Sequence, residues 1–148
     1  MKTLWSMLGA LLISVIIMEV GKIYVTYNKI YTAMEHALDA ALIQGIKEED
    51  AKLGTIYVDE ELARAAAEAT FKENLNLNEF FENDLMKDTT FTIEINQGNP
   101  DVPADKPYVS GIVSTSVAIM SPTMFGQPTI PITIRKNQFQ LTTYCGTE

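Results

Sequence analysis

The apolar residues of the chain are concentrated at its N-terminal end. Leu4 to Met18 reads LWSMLGALLISVIIM and contains no charged residue. Beyond Glu19 the apolar residues recur at intervals of three and four, which is the spacing of one face of an α-helix. No proline occurs before Pro100, and Gly45 provides a position at which a helix can end. We therefore predict one continuous helix over about residues 3–43, apolar on all sides in its first half and amphipathic in its second.

The length of the first half favours a membrane role. Leu4 to Val25 is 22 residues, which at about 1.5 Å per residue just crosses a hydrocarbon core of roughly 30 Å. Lys2 precedes the segment and favours an orientation with the N-terminus inside and the C-terminus outside. Two other interpretations stay open: a cleaved secretory signal, although no small-x-small site follows the run, and a simple membrane anchor.

Packing against other helices would cover the apolar positions of this predicted helix. A segment that is apolar on all sides suits lipid or the core of a helix bundle, and a one-sided stripe suits a neighbouring helix. The residues that we expect to pack in such a core are Leu4, Trp5, Leu8, Leu11, Leu12, Val15, Ile16, Ile23, Tyr27, Ile30, Tyr31, Met34 and Leu38.

A small helical region is predicted next. Ile46 to Gly54 is a polar break, and Asp59 is a good N-cap for a helix that begins with Glu60 and Glu61. Asn76 to Met86 suggests a second short helix. The residues that we expect to face inward from the first of these helices are Leu62, Ala65, Ala66, Ala69 and Leu75.

The last third of the chain alternates with a period of two and predicts strands. Residues 91–95 form the first, Tyr108 to Met120 the second, with Gly111 as a bulge, and residues 130–134 the third, with Pro131 favouring an edge. A last strand would carry Phe139, Leu141 and Tyr144. The prediction is an α+β protein with an antiparallel sheet of three to four strands. It divides into an N-terminal helix over 1–45 and a globular head over 46–148.

Composition removes several classes of function. The net charge is −8, with 11 basic and 19 acidic residues, and residues 48–106 carry 15 acids against 5 bases. An acidic chain without a basic cluster argues against nucleic-acid binding. One Cys and one His exclude a disulfide framework and a Cys/His metal site. Without a Gly-rich phosphate loop or a Ser/His/Asp set, we expect neither an enzyme nor a cofactor.

Three stretches of the chain resemble a known family. An apolar run that ends in Glu19-Val20-Gly21-Lys22, followed by Ile23-Tyr24, is similar to the TadE-like pseudopilins of tight-adherence pilus systems. The Ala-rich continuation, Ala33 to Gly45, also resembles that family, and the late segments Pro107 to Gly126 and Pro131 to Ile134 resemble its closing strands. A long apolar helix with a lone Glu and a small sheet behind it is the design of pilins in general.

The resemblance implies a structural subunit. Such a protein is held in the membrane of the cell envelope by its N-terminal helix and then polymerises through that helix into an extracellular filament. The resemblance also implies a pilus assembly ATPase and a membrane platform as partners. Two alternatives stay open: a minor pseudopilin that primes or caps another filament, and a monomeric membrane-anchored module that binds a ligand outside the cell.

Glu19 is the charged residue within the apolar run, where a carboxylate costs about 2.5–3.5 kcal/mol at the centre of a membrane span. One hypothesis is that Glu19 meets Lys2 or the α-amino group of a neighbouring subunit, which would set the axial register of a filament. The alternatives are that Glu19 lies at the membrane boundary or pairs locally with Lys22.

Overall fold

A single long helix carries a small head in the computed structural model of the chain, which describes residues 2–46, 57–98, 108–119 and 129–139. The elements in chain order are α1 (Lys2–Gly45), α2 (Glu60–Leu75), β1 (Met86–Asn96), β2 (Tyr108–Ala118) and β3 (Thr129–Phe139). The predicted α+β class is confirmed.

Helix α1 has 44 residues, about 66 Å at the rise of an α-helix. The predicted span of about 3–43 is confirmed, and the helix extends slightly further at both ends. It ends at Gly45, whose carbonyl accepts a hydrogen bond from the Asp59 N–H at 2.7 Å. A Cβ at Gly45 would lie 2.8 Å from Val58 Cγ1 and 2.9 Å from the Ala63 Cβ. Glycine is therefore required here because the start of α2 approaches the α1 backbone too closely for a side chain.

Helix α2 begins at the predicted cap. Asp59 has an extended backbone, and its Oδ1 accepts hydrogen bonds from the N–H groups of Glu61 and Leu62, both at 3.2 Å. These bonds satisfy amide groups that have no partner within a first helical turn. Asn76 ends the helix in the left-handed conformation, at φ 50°.

Removing this cap is expected to destabilise the head by about 1 kcal/mol. Asp59→Ala deletes the acceptor, whereas Asp59→Asn keeps an oxygen at the same position and serves as the matched control. Unfolding of the detergent-solubilised chain by urea, followed by circular dichroism, measures the difference. Equal midpoints for the two variants would contradict the assigned capping role.

The buried face of α2 differs in part from the prediction. Ala66 and Leu75 are buried as expected, but Leu62 is 49% exposed, and Ala65 and Ala69 are also exposed. The row that faces α1 and the sheet consists of residues spaced four apart, namely Ala63, Ala67, Phe71 and Leu75. Rows with this spacing form the ridges by which helices pack. Phe71 decides the rotation of the helix, because it is the large side chain that the core must accept.

The second short helix predicted over Asn76–Met86 is wrong. Residues 76–85 form turns instead. The Asn78 Oδ1 accepts hydrogen bonds from the N–H groups of Phe80 and Glu82, at 2.9 and 3.0 Å. The Asn83 Oδ1 accepts two more at 2.8 Å, from the following Leu85 and Met86 amides. Short amide side chains compete with helical hydrogen bonds in this way, and the apolar spacing of the segment did not reveal it.

The strands form one antiparallel sheet in the order β1-β2-β3. The bulge predicted at Gly111 is wrong: Gly111 pairs in regular register with Ile93 on one side and Lys136 on the other. The irregularity lies in β1, between Lys87 and Thr90. Gly111 serves a different purpose, since a Cβ there would lie 3.1 Å from the Leu38 Cδ2 of α1. The missing side chain allows α1 to cross close to the sheet.

Strand β3 is longer than the predicted 130–134 and ends at Phe139, a residue that was expected in a separate last strand. The described sheet has three strands, within the predicted three to four. Pro131 lies on this strand, which is last in the sheet order, and its predicted edge position is confirmed. Leu141 and Tyr144 lie outside the described residues.

The core of the head is built around the second half of α1. Ile30, Met34 and Leu38 are completely buried, between α2 on one side and the sheet on the other. From the sheet, Val109, Val113 and other alternate residues of β2 point into this core. The head therefore folds around α1 rather than beside its end, and the first half of α1 extends from the head as a continuous helix.

Candidate assembly and membrane-contact surface

The first part of α1 is an exposed apolar helix. We call residues 3–18 the apolar segment. All of its side chains are exposed except Val15, which is half-buried. Its large exposed apolar residues are Leu4, Trp5, Met7, Leu8, Leu11, Leu12, Ile13, Ile16, Ile17 and Met18. Ten such side chains expose on the order of 1,000 Å² of apolar surface. A surface of this size on a soluble protein marks a place of contact with a membrane or another protein.

The described structure contains one helix that is long and apolar enough to cross a membrane, spanning Thr3–Gly45. Its most apolar stretch of 18 residues is 6% buried, whereas the core helix of a soluble protein is mostly covered. By length and composition, this helix is suited to be a membrane anchor or a signal sequence.

The residues predicted to pack among helices divide into two groups. Leu4, Trp5, Leu8, Leu11, Leu12 and Ile16 are exposed, and Val15 and Ile23 are half-buried. Tyr27 and Tyr31 are about 40% exposed and stack on each other, with ring centroids 6.5 Å apart. Ile30, Met34 and Leu38, in contrast, are buried within the subunit itself. Ile30, Met34 and Leu38 therefore contribute to the folding of their own subunit and offer no surface to a neighbour.

Glu19 and Lys22 mark the level at which the head meets α1. Glu19 is 2% exposed. One turn later, the Lys22 Nζ donates a hydrogen bond to the Ala118 carbonyl at 2.6 Å, which ties α1 to the end of β2. The Lys2 side chain lies outside the described part of the structure. The predicted contact between Glu19 and the Lys2 of a neighbour stays a prediction, and it requires the neighbour to reach a carboxylate that the subunit covers.

A charged cluster joins α1 to β3 in the head. The Lys136 Nζ lies 2.9 Å from the Glu35 Oε2 and 4.2 Å from the centroid of the Tyr31 ring. The hydrogen bond and the charge of Lys136 hold the pKa of Glu35 below its ordinary value of 4.5. Partial burial lowers the pKa of Lys136, but the hydrogen bonds with Glu35 and Tyr31 outweigh burial and raise it above 10.5. Sequence reasoning missed this cluster, because its members are far apart along the chain.

The stability of the head is expected to depend on the ionisation of Glu35. Because the folded pKa is lowered, the stabilisation is complete above about pH 4.5 and is lost as the pH falls through the folded value. Glu35→Gln should therefore make the unfolding midpoint less sensitive to acid than in the wild type. Glu73→Gln changes an exposed acid on α2 and is the control. Urea unfolding at pH 7 and at about pH 3.5 tests this, and parallel losses for all three proteins would contradict it.

A groove lies along another flank of α1, next to the end of α2. One wall is the face of α1 from Met18 to His36. The other is formed by the end of α2 with Asn76 and by the residues from Asn83 to Met86. Its volume is about 1130 Å³. Apolar side chains, among them Val25 and Leu85, are mixed with the amide side chains of asparagines and with Lys22 and Lys29. The groove starts at the level where the apolar segment ends.

The described residues give no indication of chemistry at a reactive site. Among them, no group of three or more His, Cys, Asp or Glu side chains is placed to hold a metal ion. His36 lines the groove.

Comparison of the chain with protein-family models, with curated proteins and with solved structures found no match.

Proposed function

We propose that this protein is a pilin-like structural subunit, held in a membrane by α1 before it polymerises through that helix into an extracellular filament. The observation that carries the proposal is the division of α1. One half is buried in the head, while the other is an exposed apolar helix that continues from it without a break. No chemistry is required of such a molecule, and none of its predicted roles calls for a cofactor.

The division of α1 suits a transfer from lipid to a filament core. Complete burial of a large apolar side chain contributes about 1.5–3 kcal/mol relative to water. The ten side chains of the apolar segment are 37–72% exposed in the subunit, so covering them with lipid or neighbouring helices contributes on the order of 10–20 kcal/mol. A filament core made of such helices keeps them from water after they leave the membrane.

The position of the head also favours release from the membrane. The apolar segment below Glu19 is about 24 Å long, shorter than a hydrocarbon core of roughly 30 Å. A short hydrophobic stretch is accommodated by thinning of the bilayer or by association, at a modest cost for each ångström of mismatch. Helices of neighbouring subunits impose no such fixed length.

A head-to-tail contact between identical subunits generates a filament when it does not close into a ring. In the proposed assembly the apolar segments form the centre, and the sheet and the acidic α2 face outward. The assembly ATPase and the membrane platform enter this proposal through the resemblance to TadE-like pseudopilins.

Electron microscopy of material sheared from cells, with mass spectrometry of the N-terminus of its subunits, tests the proposal. Filaments composed chiefly of this chain, with the apolar segment retained, are the expected result. A chain that stays in the membrane as a monomer, or that begins near residue 22, would overturn the proposal and favour an anchored or secreted binding module. Small amounts of the chain in filaments of another protein would indicate a minor pseudopilin.

A further inference from the structure

The groove beside α1 lies where a helical neighbour is missing. Helix α2 covers the upper part of α1, and it ends at Leu75. Below that end, within the part of the chain that the structure describes, the α1 flank from Met18 to His36 faces open space and the turn region that follows α2. Near its C-terminal end, α1 is therefore packed between α2 and the sheet. Nearer Met18, in the described structure, the flank of α1 beyond the end of α2 is left open.

We propose that this groove binds the apolar segment, residues 3–18, of a second copy of the chain. The inference rests on the proposed function and adds to it the surface on which one subunit receives the next. It makes the contact heterologous, since the groove of one copy receives the apolar segment of another, and such contacts propagate into a filament.

The dimensions of the groove fit a helix. An α-helix with its side chains is about 10–12 Å wide. The groove is an open cleft of about 1130 Å³, so a docked helix would lie in it with one side still exposed. Along α1 the groove extends over about 27 Å, and the apolar segment is about 24 Å long.

The floor of the groove allows a close approach. Gly21 lines it, and a Cβ built at Gly21 meets no other atom within 4 Å. A helix that packs there can come near the α1 backbone, as helices do at small residues. Met18, Val25 and Leu85 supply apolar contacts. The apolar segment carries no charge, so docking brings no like charge against Lys22, Lys29 or Asp84, which line the groove.

Two arguments favour a second copy as the occupant of the groove: the exposed apolar area that each copy brings, and the parallel orientation of copies in one membrane. Each groove comes with one apolar segment whose exposed surface, on the order of 1,000 Å², is of the same order as the roughly 800 Å² that each partner buries in an ordinary stable interface. Copies held in one membrane are also parallel. A parallel copy placed in the groove is displaced along the helix axis by about 17 residues, or about 25 Å, toward the C-terminal end of α1 of the receiving copy. Its residue 2 then lies level with Glu19 of the receiving copy.

Cysteine cross-linking in whole filaments tests both the groove and the shift. In a Cys145→Ser background, Leu8→Cys is combined with Val25→Cys, which lies in the groove, or with Tyr24→Cys, which does not line it. Positions 24 and 25 are at almost the same height on α1 and are similarly exposed, at 66% and 52%. We expect oxidation to link subunits into ladders through the Val25 pair, with at least tenfold less product through the Tyr24 pair.

A second pair of variants keeps the test decisive if the cysteine proteins assemble poorly. Gly21→Leu places a side chain in the groove at a position where a Cβ meets no atom of its own subunit within 4 Å. Gln44→Leu adds the same side chain at an exposed position outside the groove. We expect neither variant to unfold below the wild-type midpoint, because leucine is a better helix former than glycine, and we expect both to remain in the membrane fraction. Filament yield should fall at least tenfold for Gly21→Leu and stay unchanged for Gln44→Leu.

The possible failures are distinguishable. If the wild type forms filaments and Gly21→Leu assembles normally, the groove is not the docking site, and the proposed function still stands. The same conclusion follows if cross-links form preferentially through Tyr24→Cys. A tightly held phospholipid at one per subunit, detected by mass spectrometry of filaments that lack the Val25 cross-link, would assign the groove to lipid and also overturn the inference. Complete absence of wild-type filaments would instead remove the proposed function.

Discussion

Replacing Leu8 and Leu12 together by lysine is expected to release the protein from the membrane and to abolish filament formation. On the scale of helix insertion, leucine contributes about −0.3 to −0.6 kcal/mol and lysine costs about 2.5–3.5 kcal/mol near the centre of a span. Two substitutions therefore cost about 6–8 kcal/mol, which exceeds a ten-thousandfold change in partition. Both leucines are exposed in the isolated subunit, so the head should fold normally. Lysine also keeps a high helix propensity, so α1 should stay helical.

Cell fractionation, followed by electron microscopy of sheared material, measures both effects. Leu62→Lys is the matched control, because Leu62 is also an exposed leucine but lies on α2, away from the apolar segment. We expect the control to fractionate and assemble like the wild type. If the double variant stayed in the membrane and formed filaments in normal amounts, the apolar segment would have neither of the roles proposed for it.

Replacing Phe71 by alanine is expected to produce the largest loss of stability from a single substitution in the head. Phe71 is completely buried and stacks on Phe91, with ring centroids 4.4 Å apart and an angle of 13° between the planes. Truncation of a buried phenylalanine costs about 3–5 kcal/mol, because it removes apolar contacts and leaves a cavity. Domains are commonly stable by about 5–15 kcal/mol, so this single change removes a large share of the total. The contact between α2 and the sheet should weaken first.

Phe80→Ala provides the comparison, since it makes the same truncation at a position that is 80% exposed. Exposed substitutions away from special features usually change stability by no more than about 0.5 kcal/mol. Urea unfolding of the detergent-solubilised chains, followed by circular dichroism, should therefore separate the two variants clearly. Similar midpoints for Phe71→Ala and Phe80→Ala would show that α2 is not held to the sheet in the way described.

The two results together would separate folding from assembly along one helix. Positions in the apolar segment should change membrane retention and filament yield without altering the unfolding midpoint. Buried positions such as Met34 and Leu38 should do the reverse, because they contact only the head of their own subunit in the described structure. A continuous helix across this boundary holds the head and the apolar segment in a fixed relation, which a filament with regular symmetry requires.

Local patterns in the sequence determined the elements whose causes are local. The uncharged run from Leu4 to Met18, the helical spacing that follows it and the absence of proline are sufficient for α1. Asp59 with two acids after it is sufficient for the start of α2, because a cap is formed by neighbouring residues. The alternation in the last third of the chain indicated the sheet for the same reason.

Tertiary packing decided which faces these elements use. The rotation of α2 depends on Phe71 finding space between α1 and β1, and a helical pattern with many alanines does not specify that rotation. The roles of Gly45 and Gly111 depend on the close approach of distant chain segments. The sequence therefore predicted only a helix end at Gly45 and a bulge at Gly111. The turns at Asn78 and Asn83 formed because amide side chains captured backbone N–H groups that a helix would have used.

The candidate surface shows the same division. The sequence by itself determined that an apolar helix exists, that Glu19 follows it and that charge is scarce there, because composition alone controls these properties. It did not determine how far along α1 the head extends, that Glu19 is covered or that a groove remains beside Gly21. Those features depend on where α2 ends against α1 and on the contact between Lys22 and the end of β2. Each involves residues that are distant in the chain.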